Sequence, residues 1–449
     1  SFAGDIDLSQ FDPTNNLREF RLEIMDSLDT RDAVGGTEYR EEYYMVLAGD
    51  ITGGNKRIRT FMSQEGTLNY DLGNQGASNQ FDMIGFYDFK GTNTGWTGSL
   101  ELGNRAGTGS TDGPDQDKQH FVRFGKNDGA ATLAIGASNS VVLRHDATLQ
   151  AYGSQVTIGN LFSDGNAGGD GYFGQQLVTN SFLENGGTVA GSFTINQTSN
   201  RTFNAVIRDG TYYSPTSTNL ASAALSIIKD GSGVLSFDRS NYYTGTTTMR
   251  GGLLQVNGSH FGGGLYSVLA GGGLGGTGMI GSAVNVFGGG TLAPGVTNNG
   301  LGGTLNLASD LSLSNGALLF FDLNGLDSTA GNEVNDLVQG IGNLVLDGTL
   351  HVTSLGSFGG AGTNDFWTLM TYSGLLTDNG VDVDMASQGL LDPGLIFYVY
   401  NFEGGAIDEI RLGIMVPEPS TWALLLTGLG MVIWMARRRG RSIGDGHVE

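Results

Sequence analysis

Three aspartates, Asp112, Asp115 and Asp117, crowd the polar stretch from Gly103 to Lys118. Carboxylates at that density are calcium-ligand chemistry, because hard cations collect several oxygens. Their spacing is not that of an EF-hand loop, and no glutamate stands twelve positions on. The stretch therefore reads first as a solvated loop, with the three acids as weak calcium candidates. Gly168-Gly169-Asp170-Gly171 has the flavour of one calcium-binding nonapeptide, but it occurs once and without a period, so it reads as a turn. Asp382 and Asp384 alternate along a strand-like segment. That places both carboxyls on one face, ~7 Å apart, near the separation a glycosidase uses. No lysine or arginine accompanies them, and solvent-facing strand acids are the plainer reading. The histidines at 120, 145, 260, 351 and 447 form no pair at i+2 or i+4, so zinc is not signalled. Gly262-Gly263-Gly264 and Gly271-Gly272-Gly273 lack the lysine and the strand-to-helix setting of a phosphate loop. Cysteine is absent, which excludes thiol catalysis and disulfides. No catalytic residue, metal or cofactor is assigned.

The elements that would position any such groups are written in glycine. The chain has 449 residues with 76 glycines, only 7 prolines and a net charge of −22. Glycine without a Gly-X-Y period, mixed with Thr, Val, Leu and Asn, predicts short strands joined by tight turns. So acidic a chain is not expected to bind nucleic acid, which needs a positive face. Glu19 to Ile24 alternates, predicting a strand with Phe20, Leu22 and Ile24 inward; a helix capped at Asn16 also fits. Further strands are predicted at Tyr44–Ala48 and from Ile58. The phrase Gly-Thr-Leu then returns at 66–68, 290–292, 303–305 and 348–350. The copies, and the looser Gly252-Leu253-Leu254, lead into alternating apolar and polar residues, as in Leu305-Asn306-Leu307 and in Leu254-Gln255-Val256, with Leu254 inward and Gln255 outward. Such short strands cannot bury a face alone, but coils of ~22 residues stacked on each other share one core. A β-sandwich remains an alternative, because Asn-Gly pairs suited to hairpins stand at 185, 257, 299 and 315.

Residues 225–258 carry a longer pattern. Lys229, Gly231, Gly233, Leu235, Phe237, Asn241, Tyr243, Gly245, Thr247, Gly251, Gly252, Leu254 and Val256 stand where the autotransporter-associated β-strand repeat has its signature residues. The stretch resembles that repeat, and Leu274–Pro294 and Asp336–Val352 resemble the segments that follow it in passenger domains. The resemblance implies an all-β right-handed parallel β-helix (a solenoid) over residues 1–415, with 366–415 as last coils and cap. The translocator barrel of such proteins has no counterpart in this sequence.

The end of the chain differs from the rest. Pro417, Glu418 and Pro419 precede an uncharged run from Thr421 to Ala436, and Arg437, Arg438, Arg439 and Arg441 follow it. Sixteen helical residues reach ~24 Å against a ~30 Å bilayer core, so a single transmembrane helix is short unless the arginines snorkel. Trp422, Leu424, Leu425, Leu426, Leu429, Val432, Ile433 and Trp434 would form the anchor. The arginines place its C-terminal end in the cytoplasm. Residues 416–441 resemble the PEP-CTERM sorting signal of Gram-negative bacteria, and 442–449 add a polar tail. The resemblance implies an exosortase-type sorting enzyme as partner, acting near Pro417–Pro419. It also implies transient residence in the inner membrane, and then the cell surface or an exopolysaccharide matrix. An exported body needs an export signal, and none precedes Ser1, so a mature form or a fragment is expected. Together these readings predict a structural or adhesive surface protein. A polysaccharide lyase or hydrolase on the same fold, or a self-assembling surface-layer component, are the alternatives.

Overall fold

The computed structural model describes residues 5–8, 19–26, 40–53, 55, 57–64, 82–91, 95–103, 118–124, 132–134, 140–144, 147–163, 176–182, 189–211, 223–296, 301–356, 358, 365–384, 396–404, 407–415, 431–433 and 435. Its strands lie in three long faces, and the chain visits the faces in turn. On the first face a parallel five-strand sheet runs from Glu19–Asp26 to Leu161–Ser163. Leu161–Ser163 packs beside Arg201–Phe203, which opens a further eight-strand sheet ending at Asp382–Val383. The second face climbs from Arg40–Leu47 to Val206–Ile207, passes through Asn241, and continues from Ser259–His260 to Phe366–Tyr372. The third face is a ten-strand sheet from Thr132–Ala134 to Leu376–Asp378. One coil is Gly252–Val256, Ser259–His260 and Tyr266–Val268, and the next begins at Gly272. The molecule is thus all-β, and its parallel pairing is that of a β-solenoid.

The alternation seen in the sequence builds the core. Leu235, Leu254, Leu274, Leu292, Leu319 and Leu350 face one another coil after coil in register. Each is buried, as are Val284, Leu311 and Leu344 on the third face. Burying a leucine is worth ~1.5–3 kcal/mol, and a stack shares that gain between neighbouring coils. The strand expected from Glu19 to Ile24 is present and runs Glu19–Asp26, with Leu22 buried, so the helical alternative falls.

Coil length departs from the expected ~22 residues. The ladder takes 19 residues from Leu235 to Leu254 but 31 from Leu319 to Leu350. Register is set by the strands, so extra residues leave as loops at the corners, and the ladder shifts only locally, as between Leu323 and Asn324. The hairpin alternative fails for a related reason. Asn257-Gly258 and Asn315-Gly316 turn corners between faces and do not return a strand on itself. Asn257 instead donates its side-chain amide to Asp238 on the preceding coil. At Gly252 the corner requires glycine: φ is +62°, and a Cβ would lie 2.4 Å from the Gly233 carbonyl oxygen.

One core position is not apolar. Lys229 occupies the ladder site between Ile195 and Met249 and is fully buried. Its ammonium donates to the carbonyls of Asp230, Gly231 and Gly251 at 2.8–2.9 Å, tying one corner to the next. Burial lowers its pKa to about 8, against a smaller opposing pull from Asp230. Close by, Tyr243, Thr247, His260 and Tyr266 form a second buried polar cluster. His260 Nε2 meets the Tyr243 carbonyl at 2.9 Å, and Nδ1 meets the Tyr266 hydroxyl at 2.8 Å.

Gln255 keeps the expected facing but not the expected exposure. It points away from Leu254, as alternation demands, yet it is only 3% exposed. The reason is its in-register neighbour Ser236, whose hydroxyl donates to the Gln255 amide oxygen at 3.0 Å. Outward side chains also pair between coils nearer the N-terminus. Arg123 holds Asp88 through two bonds, and Arg59 faces Glu101 in register. At the other end the pattern changes. Phe366–Tyr372 pairs antiparallel with Asp408–Met415, which pairs antiparallel with Ile396–Phe402. Arg411 lies between the rings of Phe366 and Phe402, at 3.8 and 3.6 Å.

Candidate functional site

The eight-strand sheet carries a cleft of about 700 Å³ on its outer side. Its floor follows from the strand Gly272–Gly276, whose sequence GGLGG offers no outward side chain. The next coil adds only Thr291 and Ala293, so the surface dips where the strands above and below carry larger groups. The strand Leu318–Asn324 supplies one wall, because its alternation sends Leu319, Phe321 and Leu323 inward and turns Phe320 and Asp322 outward. Thr353 lies opposite Asp322 on the following coil and hydrogen-bonds its carboxyl.

Asp336 closes the base of the cleft and is 2% exposed. Its two carboxyl oxygens accept from the backbone N–H groups of Gly303 and Asp322, at 2.7 and 2.8 Å. Its own N–H donates to the Asp322 carbonyl at 2.9 Å. Burial pushes its pKa up to about 8, opposed by those two N–H donors, with the Asp322 charge adding to the rise. Burial also raises Asp322, while Thr353 pulls it down. Beside the cleft Phe320 stacks on His351 at 4.6 Å and 13°, and His351 Nδ1 lies 3.0 Å from Asp384 Oδ2.

The residues singled out in the sequence fare unevenly. Asp382 and Asp384 border the same outer face, but Asp384 is engaged by His351 and Asp382 is exposed. Asp112, Asp115 and Asp117 lie outside the described residues, as does Gly168–Gly171. So do Pro417, Glu418, Pro419, Trp422, Leu424, Leu425, Leu426, Leu429, Trp434 and the four arginines. Val432 and Ile433 are helical and exposed, with Met431 and Met435 beside them. Among the described residues no helix is long and apolar enough to cross a membrane, and no cluster of three metal-ligating side chains occurs. Phe320, Asp322 and Asp336 escaped the sequence reading. The outward phase of Phe320 and Asp322 was readable in LLFFDLN, but nothing in the sequence brings Asp336 back across a loop to Asp322.

The tail is decided by comparison with known families. Residues 416–439 match the PEP-CTERM protein-sorting motif. The chain carries that motif at its C-terminal end. A PEP-CTERM signal implies an exported protein and an exosortase-type processing partner. A second likeness covers about a fifth of the chain. Over 102 residues, 22% of this chain, it is 45% identical to the adhesin BmaC autotransporter of Brucella suis biovar 1 (strain 1330). That stretch is 3% of the adhesin's length, so the chain spans a small part of this relative.

Proposed function

We propose that the chain is a surface-delivered adhesive or structural rod, sorted through its PEP-CTERM tail. The observation that carries this is the match at residues 416–439 on a chain whose described strands form stacked parallel coils. In this reading residues 1–415 are the body, 366–415 its last coils and cap, 416–441 the sorting and anchor segment, and 442–449 a polar tail. The antiparallel strands Ile396–Phe402 and Asp408–Met415 suit a cap, since they end the parallel climb and cover an open edge. The coil is taken as right-handed, the hand that parallel crossovers adopt. The five and eight strands of the first face, ~4.8 Å apart, stack to roughly 60 Å.

Before processing, the apolar run from Trp422 to Trp434 would hold the chain transiently in the inner membrane. Arg437, Arg438, Arg439 and Arg441 would sit in the cytoplasm and the body beyond the membrane. Exosortase action near Pro417–Pro419 would then pass the body to the cell surface or an exopolysaccharide matrix. There a rigid repeated surface makes many weak contacts, whose combined avidity exceeds any one of them. The adhesin likeness supports this non-enzymatic role. A polysaccharide-cleaving enzyme is less well supported, because Asp336 has both oxygens committed to backbone donors and Asp384 is held by His351.

The test is fractionation in two isogenic hosts, one with and one without the sorting enzyme, followed by attachment of cells to a surface. The proposal expects the body at the surface and attachment only when the enzyme is present. Equal surface display in both hosts would overturn it.

A further inference from the structure

We propose that the outer cleft between Gly252 and Leu355 binds an uncharged polysaccharide strand along the stack. The inference deepens the adhesive reading above by naming a site and a ligand class, and it stands or falls separately from the sorting.

The cleft's volume, about 700 Å³, lies within the ~300–1,000 Å³ usual for ligand sites. Four kinds of polymer could lie in it, and the surroundings discriminate among them. A peptide strand is recognised through free backbone groups at a sheet edge. Here Gly273–Gly275, Thr291 and Leu292 are paired on both sides, so most of the floor's backbone groups are already spent on neighbouring coils. A nucleic acid or an acidic polysaccharide would bring negative charge to a chain of net charge −22 and to a site that already holds Asp322. A polyhydroxyl chain meets neither obstacle.

The lining also fits sugar rings positively. Phe320 offers an aromatic edge and face for the C–H face of a ring, and it is held in place by its stack on His351. The Asp322 carboxyl and the Thr353 and Thr291 hydroxyls accept hydrogen bonds, which vicinal hydroxyls donate. The glycine floor lets a ring approach the sheet closely. Coils spaced ~4.8 Å apart repeat at nearly the advance of an extended β-linked hexose chain, so each successive ring meets the next coil. The site holds without cutting. Asp336 is buried with both oxygens occupied by N–H donors, and among the described residues that line the cleft Asp322 has no second free carboxyl to complete a general acid–base pair.

The experiment is affinity electrophoresis of the purified full chain in native gels containing hydroxyethyl cellulose, laminarin or alginate, with reducing-end release measured in parallel. Retardation by one of the two neutral glucans, none by alginate, and no released ends are expected. Phe320→Ala should weaken that retardation at least tenfold, and Asp322→Asn severalfold. Thr291→Trp fills the cleft from the surface without removing a core contact, and it should abolish retardation while leaving the urea midpoint unchanged. Failure of both glucans to retard the chain, preference for alginate, release of new ends, or unaltered retardation of a folded Thr291→Trp variant would each overturn the proposal. A chain that is correctly sorted yet shows any of these outcomes would separate this failure from that of the surface reading.

Discussion

Replacing Leu254 by aspartate tests the shared core directly. Leu254 is fully buried between Leu235 and Leu274. Truncating such a leucine to alanine costs ~2–5 kcal/mol, part from lost transfer and part from the cavity. Aspartate adds an unpaired carboxyl, whose burial costs further kcal/mol even when it is held protonated. A total of about 5 kcal/mol or more is comparable with the ~5–15 kcal/mol that stabilises an ordinary domain. In a stack that loss falls on the affected coil and its neighbours. Urea denaturation followed by circular dichroism should show an earlier transition, and hydrogen exchange should rise from Val234 to Leu292. Gln255→Asp should cost ~1–3 kcal/mol, because Gln255 is buried and bonded to Ser236. Asn285→Asp, on the outer side of the third face between buried Val284 and Val286, should stay within ~0.5 kcal/mol. If Asn285→Asp costs as much as Leu254→Asp, the assignment of inner and outer faces is wrong.

Other consequences are open to measurement. Lys229→Met keeps the aliphatic stem but leaves the Gly231 and Gly251 carbonyls without the ammonium donor, while Asp230 keeps the Gln197 N–H, so a loss of ~2–4 kcal/mol is expected in urea denaturation; an unchanged midpoint would show the ammonium to be dispensable. Asp336 has a folded pKa near 8 against 3.8, so the stability it contributes is full below pH 3.8 and is lost as pH rises through about 8. Asp336→Asn should flatten that part of the pH profile, and a parallel slope in parent and variant would refute the assignment. His260 is shifted the other way by burial, so stability should fall as pH drops below about 6.5, and a His260→Asn variant should lose that acid limb in thermal melts. Changing Arg437, Arg438, Arg439 and Arg441 together to glutamate should impair membrane retention or orientation, read by protease access in spheroplasts, while the body's circular dichroism stays that of the parent.

Much of the architecture was legible because its signals are local. Alternation at Leu305-Asn306-Leu307 and Leu350-His351-Val352 fixes which side chains turn inward, and glycine before each strand marks the corners. Parallel stacking was legible only through the resemblance of residues 225–258 to the autotransporter-associated β-strand repeat, since alternation alone left a sandwich open. Coil length was not, because loops such as Gly325–Val334 leave the stack with only a local shift of register at Leu323–Asn324, and only the paired strands reveal where the chain re-enters. The burial of Gln255 was hidden for a different reason: phase tells which side a residue takes, but Ser236 on the coil below decides whether water reaches it. Lys229 shows the converse. Its place in the repeat was plain, but its role as donor to three corner carbonyls emerges only from the close approach of Gly251. The cleft depends on register between five coils, so Asp322 and Asp336 gave no sign of each other along the chain.

The most direct test of the account is the mass of the C-terminal peptide on the surface-exposed protein, taken from a host that carries the sorting enzyme. Surface material should end near Pro417–Pro419 and lack the apolar run and the arginines. The Pro417→Ala, Glu418→Ala, Pro419→Ala triple variant should remain in the membrane fraction with Glu449 still attached. Surface protein that retains Arg437–Glu449, or a triple variant released and trimmed as the parent is, would contradict the claim that this tail sorts the solenoid.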